Sequence, residues 1–248
     1  MLDLPDVTLV IIETRQHELG RLAVNDCLRH ATFGDLLIFT DKPEMFLDQG
    51  RVIEVPDWPK KIGWSRFNWQ EVSPHIRTSH VLGIQWDSWI VDPDMWRDEF
   101  LNYDYIGAPW WYKDGMNVGN GGFCLRSTKL LRYVRKHRDR FPCVNDLDDD
   151  LLCRKYRPAL QDEGFAWAPE SVAIDFAFEC VRLFERKRHF GFHAAYNFDY
   201  GCGGDRERIL ERARIMARSG YMTVSNPYIW DGFIKSNSWV PDELAKAS

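Results

Sequence analysis

Four stretches of this chain carry side chains that could do chemistry, and they lie far apart in the sequence. They are Gln85-Trp86-Asp87, the loop Gly119-Asn120-Gly121-Gly122, the acidic pair Asp148-Asp149, and His193. A carboxylate such as Asp87 suits a hard divalent cation, which would in turn neutralise a diphosphate. A carboxylate of the acidic pair could take a proton from a hydroxyl group, and His193 could serve as a neutral imidazole ligand.

The glycine loop is unusual because three glycines in four residues suit neither a helix nor a strand. Glycine is tolerated where another backbone or a ligand must come close. Aromatic side chains precede the loop at Tyr103, Tyr105, Trp110 and Trp111, and the chain holds eleven tryptophans in all. A bare loop beside aromatic rings suits a sugar, which offers an apolar face and a rim of hydroxyl groups.

Each stretch also has a purely structural interpretation. Asp87 could cap a turn, the acidic run could be the solvated start of a helix, and His193 could be a core residue among aromatic rings. The glycines could form an ordinary tight turn, and most tryptophans of a globular protein lie in its core. The residue types alone leave both interpretations open.

The N-terminal pattern predicts the start of an α/β sheet. Apolar, β-branched runs at 7–12, 36–39 and 51–55 read as buried strands, and 16–30 reads as a helix between the first two. A further strand is expected over 80–87, ending on Asp87. Functional groups of open α/β sheets gather at the carboxyl ends of strands, so Asp87 is expected where chemistry takes place.

The remaining elements are predicted from shorter patterns. We expect a helix broken at Pro74, a helix that Ser127 caps, and another that begins in the acidic run. The predicted ranges are 64–80, 128–140 and 146–156 for these helices, 206–218 for an arginine-rich one, and 105–107, 122–125 and 190–193 for short strands. The arginine-rich helix Arg206–Arg218 is expected to be a solvated face, or else to contact an anionic membrane or a lipid-linked acceptor.

Composition narrows the function classes. The net charge of −5 argues against nucleic acid as a partner. The six cysteines form no CxxC pair, so zinc and redox motifs are not expected, and scattered cysteines are typical of a reduced, intracellular protein. No apolar run approaches the roughly 20 residues of a membrane span. We therefore expect a cytoplasmic protein that is at most peripheral to a membrane.

In their order along the chain, these motifs resemble those of a GT-A-type glycosyltransferase-like domain family. Its signature runs QWDG, YDYIGAPW, GNGGFSLRS, an acidic pair and FGFH. The matching stretches here are Gln85 to Ser88, Tyr103 to Trp110, Gly119 to Ser127, Asp148-Asp149 and Phe190 to His193. The resemblance implies a GT-A-like, Rossmann-like α/β fold, with a mixed, mostly parallel sheet flanked by helices. It assigns residues 1–204 to that single domain, and 205–248 to a helical or irregular extension packed on it.

The resemblance also implies roles for single residues. Asp87 would be the surviving carboxylate of an Asp-x-Asp motif that holds the metal and the diphosphate, and Gln85 stands in place of the first Asp. Asp149 would be the general base beside Asp148, which replaces a Glu, and His193 would complete the metal site. The other implied contacts are Glu13, Thr14 and Asp41 with the donor nucleotide, Gly121 and Gly122 with the donor sugar, and Trp110 and Trp111 with the acceptor.

The resulting prediction is an inverting glycosyltransferase. It would move a sugar from a nucleotide-sugar, with a UDP-sugar as the expected donor, to a hydroxyl group of a glycan or lipid-linked acceptor. A divalent cation, Mn²⁺ or Mg²⁺, is the expected cofactor. The alternative is a non-catalytic module that binds carbohydrate or nucleotide-sugar. A sugar-nucleotide pyrophosphorylase is disfavoured because residues 13–17 contain no glycine.

Overall fold

The computed structural model of the protein describes residues 1–58, 60–144, 148–180, 188–220 and 227–241. Within these ranges the chain folds as mixed α/β, which confirms the predicted fold class. Its strands are β1 (Leu2–Glu13), β2 (Ala31–Thr40), β3 (Arg51–Glu54), β4 (His80–Ile84), β5 (Trp89–Ile90), β6 (Tyr105–Gly107), β7 (Phe123–Ser127), β8 (Ala177–Phe178) and β9 (Gly191–Phe192).

Six of these strands form the central sheet, in the order β3-β2-β1-β4-β7-β6. The pairs from β3 to β4 are parallel, whereas β7 runs antiparallel to both β4 and β6. The chain builds outward from β1 to β3 and then crosses to the other side of β1 to form β4. The carboxyl ends of β1 and β4 therefore flank the point where strand order reverses, which is where open α/β sheets bind ligands.

Helices cover both faces of this sheet. They are α1 (His17–His30), α2 (Lys61–Arg66), α3 (Thr128–Lys136), α4 (Asp148–Asp150), α5 (Arg157–Asp162), α6 (Glu170–Phe176), α7 (Phe198–Gly201), α8 (Arg206–Ser219) and α9 (Pro227–Ser236). Five-residue π-helical turns extend α2 over Phe67–Glu71 and α4 over Leu151–Lys155. The apolar run of β1 is buried on both sides, with Leu9 and Ile11 in one core and Val10 and Ile12 in the other.

Several predicted boundaries were wrong. The strand predicted over 80–87 ends at Ile84, because a turn in which Ser88 N–H donates to the Gln85 carbonyl follows it. The helix predicted over 64–80 ends at Glu71, and Pro74 lies in the short 3₁₀ turn Ser73–His75. The helix capped by Ser127 ends at Lys136, but its cap is confirmed, since Ser127 Oγ accepts from Leu130 N–H at 3.0 Å. Residues 146 and 147 of the helix predicted over 146–156 lie outside the described residues.

A second, three-stranded sheet has the order β5-β9-β8 and positions the site. In its antiparallel β5–β9 pair, Trp89 lies opposite Phe192. This pairing brings Asp87, two residues before Trp89, next to His193, one residue after Phe192.

The arginine-rich helix α8 packs against the body of the protein. Arg212 is 2% exposed, pairs with the buried Asp26 of α1, and lies 4.6 Å from the centroid of the Trp89 ring. Arg208 also pairs with Asp26, at 2.9 Å. The predicted solvated face is thus wrong for Arg212, although Arg214 is exposed. Parts of the predicted extension, at 221–226 and 242–248, lie outside the described residues.

No helix among the described ranges is both long enough and apolar enough to cross a membrane.

Candidate functional site

The turn after β4 is fastened to the glycine loop by the hydroxyl group of Ser88. Ser88 Oγ accepts from Gln85 N–H at 2.9 Å and donates to the Gly122 carbonyl at 2.6 Å. Ser88 is fully buried, and Asp87 beside it is 4% exposed. A buried hydroxyl with both partners satisfied holds its backbone in one conformation. The predicted Asp87 and Gly122 stretches are therefore parts of one structure.

Asn120 shapes the glycine loop. Its φ is +60°, in the left-handed region that Asn tolerates better than most residues. Its side-chain oxygen accepts from Gly122 N–H at 3.1 Å and Phe123 N–H at 3.2 Å, and its carbonyl accepts from the Tyr105 hydroxyl at 2.9 Å. Asn120, not the glycines alone, fixes the shape of this loop.

The glycines admit neighbouring parts of the protein. A Cβ on Gly122 would lie 2.1 Å from His193 Cδ2, and one on Gly119 would lie 2.1 Å from the Trp110 ring. A Cβ on Gly121 would lie 3.3 Å from the Cβ of Asp149. Gly121 and Gly122, predicted to admit the donor sugar, thus let Asp149 and His193 approach the loop.

His193 lies between two carboxylates. Its Nε2 is 3.4 Å from Asp87 Oδ1, and its Nδ1 is 2.9 Å from Glu179 Oε1. The amide nitrogen of Asn120 also lies 3.1 Å from Nδ1, which can donate to Glu179 or accept from Asn120 but not both. Asp87 Oδ1 is buried and has no hydrogen-bond partner among the described residues.

The carboxylates decide the charge of His193. Burial opposes a charge on the imidazole, but the attraction of Asp87 and Glu179 outweighs it and raises the pKa of His193 to about 10. A charged His193 carries a proton on both nitrogens, which favours the Nδ1 bond to Glu179. In the absence of another cation, the imidazolium neutralises part of this acidic site.

The acidic pair points in two directions. Asp149 Oδ2 accepts from Gly121 N–H at 2.9 Å, so this carboxylate faces the glycine loop. Asp148 is 8% exposed and accepts from the Asn68 side chain at 2.7 Å. Asn68 in turn accepts from Arg126 Nη2 at 2.9 Å. Asp148 is engaged with the interior, whereas Asp149 faces the candidate site.

Burial raises the pKa of both carboxyl groups. For Asp148 the pKa rises to about 6, with repulsion from Asp149 adding to burial. For Asp149 burial is the main cause, the Gly121 N–H opposes it, and the charge of Glu179 raises the pKa further. A carboxylate with a raised pKa is a stronger base, which suits proton abstraction from a hydroxyl group.

The residues predicted to bind the donor lie at the carboxyl ends of the strands, but two of them already bond to other groups of the protein. Glu13 Oε1 accepts from the N–H groups of Arg15 and Gln16, at 2.7 and 2.6 Å, and so closes the turn from β1 into α1. Asp41 Oδ1 lies 2.7 Å from His17 Nε2. Thr14 is buried and Gln85 is half-buried, and neither side chain forms a hydrogen bond with another described residue.

The two tryptophans predicted at the acceptor side differ in exposure. Trp110 is 8% exposed and its ring covers Gly119, which leaves little of its surface for a ligand. Trp111 is 57% exposed. Of the two, Trp111 exposes more of its ring, which also packs against Tyr112 with 5.2 Å between the ring centroids.

Sequence reasoning missed five residues of this arrangement, namely Ser88, Asn120, Glu179, Asn68 and Arg126. Asn120 and Ser88 lie inside the motifs that were singled out, and a small polar residue there is a signal for a turn bond. Glu179, Asn68 and Arg126 act through contacts between distant segments, which leave no local signal.

Two of the residues predicted to bind a metal ion, Asp87 and His193, lie next to each other. Within the described ranges, no group of three or more His, Cys, Asp and Glu side chains is arranged to hold a metal ion. Asp87 Oδ1 and His193 Nε2 do converge, and Glu179 supports the other ring nitrogen. A carboxylate behind a metal-binding imidazole is the usual outer-sphere arrangement of such sites. Two such ligands would hold a cation only if His193 gave up its Nε2 proton and a bound substrate supplied the remaining ligands.

Comparison with curated proteins gives no match. A family model described as "Protein of unknown function (DUF5672)" matches residues 65–193. The matched segment covers more than half of the chain and contains Asp87, the glycine loop, the acidic pair and His193. The chain belongs to the DUF5672 family.

Proposed function

We propose that the protein is a glycosyltransferase that moves a sugar from a nucleotide-diphosphate sugar to a hydroxyl group of a glycan or lipid-linked acceptor. One observation carries the proposal. Asp87, His193 and Asp149 lie around a single glycine loop beside the carboxyl end of β4, where the strand order reverses. Ligands of open α/β sheets bind at this position. The resemblance to GT-A-type enzymes supports the same class.

The charge of the site supports a divalent cation as cofactor. Asp87 and Glu179 flank the imidazole of His193, and Asp149 is close enough to Glu179 to feel its charge, so three carboxyl groups face one imidazolium. A diphosphate would be repelled here unless a cation lay between. Asp87 and His193 would hold Mn²⁺ or Mg²⁺, with the ion replacing the proton on His193 Nε2, and the bound ion would act as a Lewis acid on the leaving diphosphate.

Asp149 is the general base of the proposed reaction. Its carboxylate would take the proton of the acceptor hydroxyl, while the oxygen bonds to the anomeric carbon and the nucleoside diphosphate leaves. One attack from the face opposite the leaving group inverts the anomeric centre. The Gly121 N–H holds Asp149 Oδ2 at 2.9 Å and so orients the base. Asp148, predicted as its catalytic partner, serves to anchor α4.

The acceptor side is proposed at Trp111, since its exposed ring could stack on a sugar. A UDP-sugar is the proposed donor, with Thr14, Asp41 and Gln85 near its nucleotide. Membrane contact through exposed arginines of α8, such as Arg214, and a cytoplasmic location belong to the same proposal.

A thermal-shift experiment tests this function. We expect UDP with Mn²⁺ to raise the melting temperature, because a ligand at a hundredfold excess over its Kd stabilises the fold by about 2.7 kcal/mol. The Asp87→Ala variant should lose the response, whereas Asp94→Ala, whose side chain is 85% exposed, should keep it.

The same experiment can also contradict the proposed function. If glycans raise the melting temperature while no nucleoside diphosphate does, with or without Mn²⁺, the protein is a carbohydrate-binding module.

A further inference from the structure

A cavity of about 320 Å³ opens beside α2, with Trp58, Gly63, Arg66, Phe67, Gln70 and Arg138 among its lining residues. The volume is at the lower end of the range for small-molecule sites. Among the described residues, no hydrogen bond or ion pair links this lining to Asp87, His193 or Asp149. The cavity is therefore separate from the proposed catalytic centre.

Two aromatic rings form one wall of this cavity. The centroids of Trp58 and Phe67 lie 5.2 Å apart, with the ring planes at 38°. Gly63 allows the indole to lie against α2, since a Cβ there would be 2.4 Å from Trp58 Cδ1. The guanidinium group of Arg15 donates to the Trp58 carbonyl at 2.6 Å and fixes the backbone at this wall.

Apart from the aromatic wall, the lining of the cavity is mainly cationic. Its lining contains the single carboxylate Glu71, which pairs with Arg135 at 3.3 Å and lies 3.9 Å from Arg138. Arg66 is exposed and forms no ion pair or hydrogen bond with any other described residue. The guanidinium groups thus outnumber the carboxylates here, although the protein as a whole carries a net charge of −5.

We propose that this cavity binds a ring compound with one anionic group, such as a hexuronate or a hexose phosphate. The apolar face of the ring packs on Trp58 and Phe67, and the carboxylate or phosphate accepts from Arg66. Arginine suits both anions because its planar N–H groups match two oxygens at once. The requirement for a ring and a charge together distinguishes this site from a non-specific anion patch.

Saturation-transfer NMR and calorimetry with four probes test the proposal. D-glucuronate and glucose 6-phosphate represent the two sources of charge, whereas D-glucose and inorganic phosphate each lack one half of the feature. We expect one or both of the charged sugars to bind clearly more tightly than either half. Arg66→Gln should weaken that binding about tenfold, the loss expected for one charge-assisted hydrogen bond.

Matched variants show whether the probe binds in this cavity or elsewhere on the surface. Trp58→Ala should weaken binding, while Arg214→Gln and Leu47→Ala, which alter exposed residues elsewhere, should not. UDP with Mn²⁺ should leave the affinity unchanged, so the result does not depend on the proposed glycosyltransferase activity.

Several outcomes would overturn the proposal. These are an affinity for glucose or inorganic phosphate equal to that for the better-bound charged sugar, unchanged affinity in Arg66→Gln, displacement of the probe by UDP, or no binding of either charged sugar at millimolar concentration.

Discussion

The imidazole of His193 lies over Gly122 so closely that a Cβ at that position would be 2.1 Å from Cδ2 of the ring. No side chain can be added at residue 122 without moving either the histidine or the loop. Since Ser88 donates to the Gly122 carbonyl at 2.6 Å, a shift of the loop would also disturb the turn that carries Asp87.

We therefore expect Gly122→Ala to destabilise the fold by about 1–3 kcal/mol, the usual range for an overpacked core, and to weaken nucleotide and metal binding. Urea unfolding and the thermal shift with UDP and Mn²⁺ measure the two effects. Gly232→Ala is the control, because its Cβ would lie 3.7 Å from the nearest atom of Tyr196. Unchanged stability in Gly122→Ala would show that the close contact is not maintained in solution.

Asp149 and Asp148 are expected to differ in turnover. If Asp149 is the base, Asp149→Asn should lower kcat for release of UDP from a UDP-sugar by about 10²–10⁴-fold, with little change in UDP affinity. Asp148→Asn keeps an oxygen that can accept from Asn68, so its kcat should fall far less. Near wild-type turnover in Asp149→Asn would refute its assignment as base.

The raised pKa of Asp148 predicts a pH-dependent stability. Its pKa is 3.8 in a free chain and about 6 in the fold, so between these values the unfolded state loses its proton first. The contribution of this carboxyl group is fully present below pH 3.8 and is lost as pH rises through about 6. Asp148→Asn should consequently gain stability relative to the wild type between pH 4 and pH 7, by up to about 3 kcal/mol.

Urea unfolding at the two pH values measures this difference. The free energy of unfolding of Asp162→Asn, which changes an exposed carboxylate, should vary with pH as that of the wild type does. A constant difference between Asp148→Asn and the wild type would mean that the carboxyl group titrates alike in both states.

The buried pair between Arg212 and Asp26 should be costly to break from one side. Arg212→Met removes the most buried partner of Asp26, which keeps Arg29 and Arg208, so we expect a loss of about 1–3 kcal/mol, below the cost of an unpaired buried charge. Arg214→Met alters the exposed neighbour on the same helix and should stay within about 0.5 kcal/mol of the wild type. Equal effects of the two substitutions in chemical denaturation would argue against a buried role for Arg212.

The sequence was most informative where a single segment determines the structure. The uninterrupted apolar run of β1 reflects burial on both faces, and Ser127 caps its helix through a bond to Leu130 three residues later. Asp87 was correctly expected near the end of a strand, because the apolar run of β4 stops just before it.

Features that depend on distant partners could not be predicted. Strands β5 and β9 have two residues each, too few for any periodic pattern, yet their pairing brings Asp87 to His193. Arg212 was expected on a solvated face because its partner Asp26 lies 186 residues earlier in the chain. Trp110 is a loop residue whose burial depends on Gly119.

The pairing of β5 with β9 also has a consequence for how the site comes into being. Contacts between residues far apart in the sequence form slowly, because the chain loses the entropy of loop closure before the contact stabilises it. On a ribosome, Asp87 and strand β5 would emerge well before β9, with which β5 pairs. The central sheet could thus begin to assemble early, whereas the site could bind a ligand only after β9 and His193 have packed against β5.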